Sequence, residues 1–172
     1  MFQKTGEWGQ PVFKTKLNVD LLYSHNCVTH FLMVEKALID RIGTSPEDVA
    51  GAQDYDLTLR CLAAGARFKH VAHVLYHWRV HPGSTADGSA DSKPYATIAG
   101  IKAVQSHLDR LGLNAKVEQA RRPFTYKVTY AVPDSHPLVS IIIPTKDHAD
   151  ILNNCITSVS YTHLTLPTNS LV

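Results

Sequence analysis

The 172 residues are 44% hydrophobic and 19% charged, the make-up of a globular chain long enough to bury a core of its own. Lys and Arg number 17 against 15 Asp and Glu, a net charge of +2. With no run of four basic residues, charge supports neither a nucleic-acid nor a membrane-surface partner. The three cysteines, Cys27, Cys61 and Cys155, are odd in number and far apart, which argues against a disulfide framework or a zinc knuckle. A reducing cytoplasmic setting is expected, because neither MFQKTGEWGQP at the N-terminus nor the apolar run LVSIII at 138–143 suits a signal core or a membrane span.

In chain order, residues 1–26 show little apolar periodicity and read as irregular chain ending in Tyr23-Ser24-His25-Asn26. Residues 28–34 are short, apolar and β-branched at their ends, as a strand would be. Residues 35–42 continue as a helix, with Gly43 placed to cap it. After TSPEDVAGAQ a second helix fits 54–64, with Tyr55, Leu59 and Leu62 on one stripe and Gly65 as its terminator.

The segment HVAHVLYHWRVH admits two readings. His70, His73, His77 and His81 could form a metal face at helical spacing, but Ala72, Val74, Tyr76, Trp78 and Val80 fill every even position, the pattern of a half-buried strand. On a strand His77 and His81 would stand roughly 13 Å apart, too far to share one ion without a bend. On the same alternation Trp78 belongs to an apolar, core-facing side.

Residues 81–92 read as a loop. Pro94 suits the first turn of a helix on which Ile101, Val104, Leu108 and Leu111 recur before Gly112 ends it. Two short strands follow at 116–119 and 125–130, then the linker signal PDSHP at 133–137. The continuous apolar run 138–143 is typical of a strand buried on both faces of a parallel sheet, and it stops at Pro144-Thr145-Lys146-Asp147 before a helical pattern from Ala149.

The order of SHN, a strand and helix ending in IDRIG, GAQDYDLTLR, VLYHWRVHPGSTA and KPYA resembles the C-terminal half of a family-2 glycosyltransferase domain of the GT-A type. PLVSIIIPTKD and ILNNCI resemble the opening of another such domain, as in bacterial tandem transferases that act on surface polysaccharides. The resemblance covers roughly residues 15–158. It implies an α/β fold: a partial Rossmann-like mixed sheet, then the first β-α unit of a second domain. On this reading 1–113 is the first domain's C-terminal half, 114–137 short strands and linker, and 138–158 the start of the second domain. Residues 159–172, with VSYTHLTLPT, look like translated sequencing adapter and are left out of the fold reading.

The resemblance also implies an activity. An inverting enzyme of this kind moves a sugar from a nucleotide-sugar donor to a saccharide acceptor, usually with Mn or Mg on the diphosphate, in the cytoplasm or at the inner membrane face. Its base aligns with Asp54, since an acceptor hydroxyl needs a general base to become a good nucleophile. The first residue of the family's acidic pair is Gln53 here. Spacing alone favours a helix-capping role for an acid at this place; the surrounding motifs shift Asp54 to the base, while Asp56 keeps the reading of a first-turn acid.

Arg79 and His81 fall where the family covers the donor diphosphate, and a guanidinium suits phosphate oxygens. Ser24, His25 and Asn26 precede the acceptor-side strand and are candidate acceptor contacts. Pro144, Thr145 and Asp147 match the nucleotide-contacting loop of the second domain, though a plain strand-to-helix turn would need the same residues. No Asp-x-Asp metal motif precedes Asp54, so the chain reads as a fragment, inactive alone. The alternative is a non-catalytic α/β binding or assembly module in which Asp54 merely caps a helix.

Overall fold

The computed structural model describes residues 11–78, 94–135, 137–138 and 140–162. It contains two compact units, Met1–Val132 and Pro133–Val172.

The first unit begins with helix α1, Val19–Ser24, which Asn18 caps by accepting the Leu21 amide at 2.9 Å. Helix α2, Lys36–Ile42, ends at Gly43 with φ 75°, a left-handed value that glycine reaches without Cβ strain. A short 3-10 turn at Glu47–Val49 leads into α3, Gln53–Ala63, and the long helix α4 spans Pro94–Arg110. Strands β1, Ala115–Gln119, and β2, Tyr126–Tyr130, then pair antiparallel, with Val117 opposite Val128 and Gln119 opposite Tyr126. The unit is therefore a mixed α/β domain.

Helix α4 is its centre. Ala99, Ala103, Val104 and Leu108 are buried against Tyr55 and Leu59 of α3, Val49 of the 3-10 turn, and Val117 and Tyr126 of the sheet. The small residues on α4 let large rings approach closely. A Cβ on Gly100 would lie 1.8 Å from the Tyr126 hydroxyl, so only glycine allows that ring to seat where it does. There Tyr126 stacks on Tyr55 with 5.7 Å between ring centroids.

Polar groups bind the layers together. The Tyr55 hydroxyl donates to the carbonyl of Leu22, joining α3 to α1. Tyr23 Oη and His107 Nε2 lie 3.1 Å apart in a buried hydrogen bond between α1 and α4. Gln105 of α4 donates to the Ala115 carbonyl at 2.9 Å and accepts the Val117 amide at 3.0 Å, satisfying β1 on the side away from β2.

Among the described residues three expected strands do not form. Residues 28–34 run as irregular chain, as do the described residues of 72–80 and of 138–143. Strand hydrogen bonds need a partner strand, and among the described residues these segments have none. The consequence shows in exposure: Val74 is 67% exposed and Tyr76 45%. Trp78 is half-buried rather than core, its indole edge-on to the His30 ring at 4.8 Å.

The second unit contains α5, Ala149–Thr162. No helix among the described residues is long and apolar enough to cross a membrane.

Candidate functional site

Asp54 stands in the first turn of α3. The helix is capped by Ala52, which has no polar side chain to bond the free amides, and Gln53 Oε1 accepts the Gly51 amide at 2.7 Å. The Asp54 carboxylate is bonded elsewhere: its Oδ2 accepts a hydrogen bond from Asn26 Nδ2 at 3.0 Å. Asn26 lies just past the end of α1, whose Leu22 and Tyr23 are buried, and the Tyr55 bond to Leu22 ties the same two elements one residue further on. The contact between Asn26 and Asp54 is thus built by two anchored helices.

The half-buried carboxylate opens onto a cavity of about 240 Å³, walled by Thr29, His30, Phe31, Leu32, Val34, Leu57 and Thr58. The Thr29 hydroxyl donates to the Asn26 carbonyl at 2.6 Å and that of Thr58 to the Asp54 carbonyl at 2.9 Å. Aromatic rings flank the wall, with His30 5.2 Å from Tyr76 and Phe31 parallel to Tyr76 at 6.5 Å. Burial, and after it the Asp54 charge, push the Tyr126 phenol up to about 12. The arrangement places one carboxylate, held through one oxygen, beside a space able to hold a small polar ligand with apolar faces.

Asp56, two residues on, is fully buried and faces α4. Its Oδ1 lies 3.4 Å from Arg110 Nη2 and its Oδ2 3.8 Å from Arg60 Nη1. The expectation of a plain first-turn acid gives way here to a buried ion pair joining α3 and α4, because tertiary packing supplies Arg110 from a distant part of the chain.

The Ser24 hydroxyl donates to the Leu21 carbonyl at 2.8 Å and its Oγ lies 3.2 Å from His25 Nδ1, and neither residue lines the cavity. Arg79 and His81 lie outside the described residues. Pro144, Thr145 and Asp147 are exposed in the second unit, in the irregular chain before α5, with Asp147 at φ 55°. Thr29, His30, Leu57 and Thr58, which build the cavity, carried no distinguishing sequence signal. Lys14, which bonds to the wall, lay in chain read as featureless.

Among the described residues no three His, Cys, Asp or Glu side chains converge as a metal would require. Among the described residues the donors around Asp54 are one carboxylate, an amide, two hydroxyls and the His30 imidazole, a set with a single anionic group that does not suit Mn or Mg, which favour several anionic oxygens.

The chain is similar to two long bacterial proteins. The uncharacterized protein y4gI of Sinorhizobium fredii (strain NBRC 101917 / NGR234) is 41% identical over 150 residues, 86% of this chain and 16% of that protein. The O-antigen biosynthesis protein RfbC of Myxococcus xanthus is 37% identical over 154 residues, 90% of this chain and 12% of that protein. The chain therefore spans a minor part of the curated relatives it matches. No protein-family model matches the sequence, and no solved structure does.

Proposed function

We propose that the chain carries the acceptor-facing, base-bearing part of an inverting glycosyltransferase of surface polysaccharide synthesis. The observation that carries this reading is the Asp54 carboxylate, anchored through Oδ2 by Asn26 at 3.0 Å at the edge of a 240 Å³ cavity. Similarity to an O-antigen biosynthesis protein along 90% of the chain supports the same class of substrate.

In the proposed reaction a hydroxyl of the saccharide acceptor enters the cavity and gives its proton to Asp54. The oxygen attacks the anomeric carbon of a nucleotide-sugar from the face opposite the leaving group. The bond from that carbon to the diphosphate breaks, and the nucleoside diphosphate leaves with the electron pair. A carboxylate held through one oxygen can receive a proton through the other without losing its orientation, which is the value of the Asn26 bond. On this reading Arg79 and His81 meet the donor diphosphate, Ser24 and His25 border the acceptor path, and Pro144, Thr145 and Asp147 serve a nucleotide in a second, similar domain. Mn or Mg would act on the diphosphate in the complete transferase, held by residues other than those around Asp54.

The test is sugar transfer by the protein that carries this chain together with its donor-binding part. Asp54→Asn should lower turnover by roughly 10²- to 10⁴-fold, the usual contribution of a general base, with nucleotide-sugar binding unchanged. Equal turnover of the two proteins would remove Asp54 from the reaction.

A further inference from the structure

The wall of the Asp54 cavity is held by a cation from 14 residues away. Lys14 Nζ donates to the carbonyl of Val28 at 2.9 Å, to that of Thr29, and to that of His30 at 3.4 Å. An ammonium carries three hydrogens, so one side chain can serve three acceptors. Residues 28–30 pair with no strand, and the carbonyls of Val28 and Thr29, half withdrawn from water, need partners, while that of exposed His30 is the outermost of the three. Thr29 and His30 line the cavity, so the arrangement of their backbone sets the shape of the space beside Asp54.

The electrostatics agree with that geometry. Burial pulls the Lys14 pKa below its ordinary value, while the Cys27 side chain in its thiolate form and the Asp54 carboxylate favour the charged ammonium. The other titratable groups at the clamp are Cys27, Asp54, His30 and Tyr76; the His30 ring faces Tyr76 at 5.2 Å and Trp78 at 4.8 Å.

We propose that Lys14 is a positioning residue for the Asp54 site: its ammonium ties three consecutive carbonyls into a fixed wall, and removing the cation releases that wall and with it the orientation of the acceptor. The proposal rests on the reading of Asp54 as the base. It assigns Lys14 no contact with substrate and no proton in the reaction.

The experiment records amide spectra of the 172-residue chain and of its Lys14→Met and Lys14→Arg variants. In Lys14→Met the amides of residues 28–31 and of Asp54 should shift or broaden, while those of β1 and β2 stay in place. Lys14→Arg, which keeps a charged donor, should leave the wall amides near their original positions. A Cys27→Ala background removes the thiol, which burial moves up in the same alkaline direction. In that background the backbone carbonyl-carbon signals of residues 28–30, which survive fast amide exchange, should follow the titration of the Lys14 side chain, with a midpoint below the ~10.4 of an ordinary lysine, and the step should vanish in Lys14→Arg. If Lys14→Met does not fold, the Arg variant and the alkaline titration decide.

In the transferase, Lys14→Met should lower kcat/KM for the acceptor by roughly 10²-fold through misplacement, leave the donor KM unchanged, and be largely rescued by Lys14→Arg. Wall amides that ignore Lys14→Met, or an Arg variant as disturbed as the Met variant, would overturn the proposal. Full activity of Asp54→Asn would remove the base reading while the amide shifts still report the clamp. Loss in Asp54→Asn with full activity in Lys14→Met would remove Lys14 alone.

Discussion

Asn26 and Asp54 stand 28 residues apart in the chain and meet through a 3.0 Å hydrogen bond from Nδ2 to Oδ2. The amide is half spent: its own Oδ1 is buried and has no partner among the described residues. A side chain that leaves one polar atom unsatisfied adds little net stability, because the unmade bond offsets the made one.

Replacing Asn26 by Ala should therefore separate function from stability. The expected loss of unfolding free energy is about 1 kcal/mol or less, read from urea denaturation. On the proposed transferase reading, sugar transfer should fall by roughly tenfold or more, because the carboxylate gains freedom to turn away from the acceptor. A variant with normal turnover would show that Asp54 needs no such anchor.

The two acids of the first α3 turn should respond differently. Asp56 is 1% exposed in its side chain, against 16% for Arg60 and 40% for Arg110. Arg110→Met strands the carboxylate with only the 3.8 Å contact to Arg60 and should cost about 2–4 kcal/mol. Asp56→Asn keeps the shape and frees an arginine that already reaches solvent, so about 1–2 kcal/mol is expected. The double variant should lose less than the sum, since both changes break one interaction. Additive losses in chemical denaturation would mean that the pair does not couple α3 to α4.

His107 makes stability depend on pH. It is fully buried on α4, and burial first, then the Arg110 charge, lower its pKa. The folded state thus binds fewer protons than the unfolded state between the two pKa values, so stability rises with pH through that window. Its contribution is complete above the unfolded value near 6.5 and is lost as pH falls below it. The urea midpoint should drop between pH 7.5 and 5, and the dependence should flatten in His107→Gln, with carboxylates providing the remaining slope at lower pH. An unchanged slope would assign the acid sensitivity to the carboxylates alone.

Much of the helical framework was legible in the residues. Gly43, Gly65 and Gly112 stand at positive φ beside the three helices they were read to end. The pair β1 and β2 was equally readable, because six residues separate the strands and each finds its partner nearby. The run at 28–34 and the described residues of 72–80 and 138–143 were misread for the opposite reason. A strand is completed by hydrogen bonds to chain that local sequence does not contain.

The site shows the same division. Composition and motif order were enough to single out the acids of GAQDYDLTLR and to place them at the start of a helix, which local propensity and glycine punctuation specify. Which acid faces a cavity and which a buried arginine depends on something else. Two residues along an α-helix turn the side chain by about 200°, so Asp54 and Asp56 must point to opposite surroundings. Only the packing of α1 and of the 28–34 wall on one side, and of α4 on the other, decides what those surroundings are, because Asn26, Lys14 and Arg110 are brought there by folding and by no local pattern.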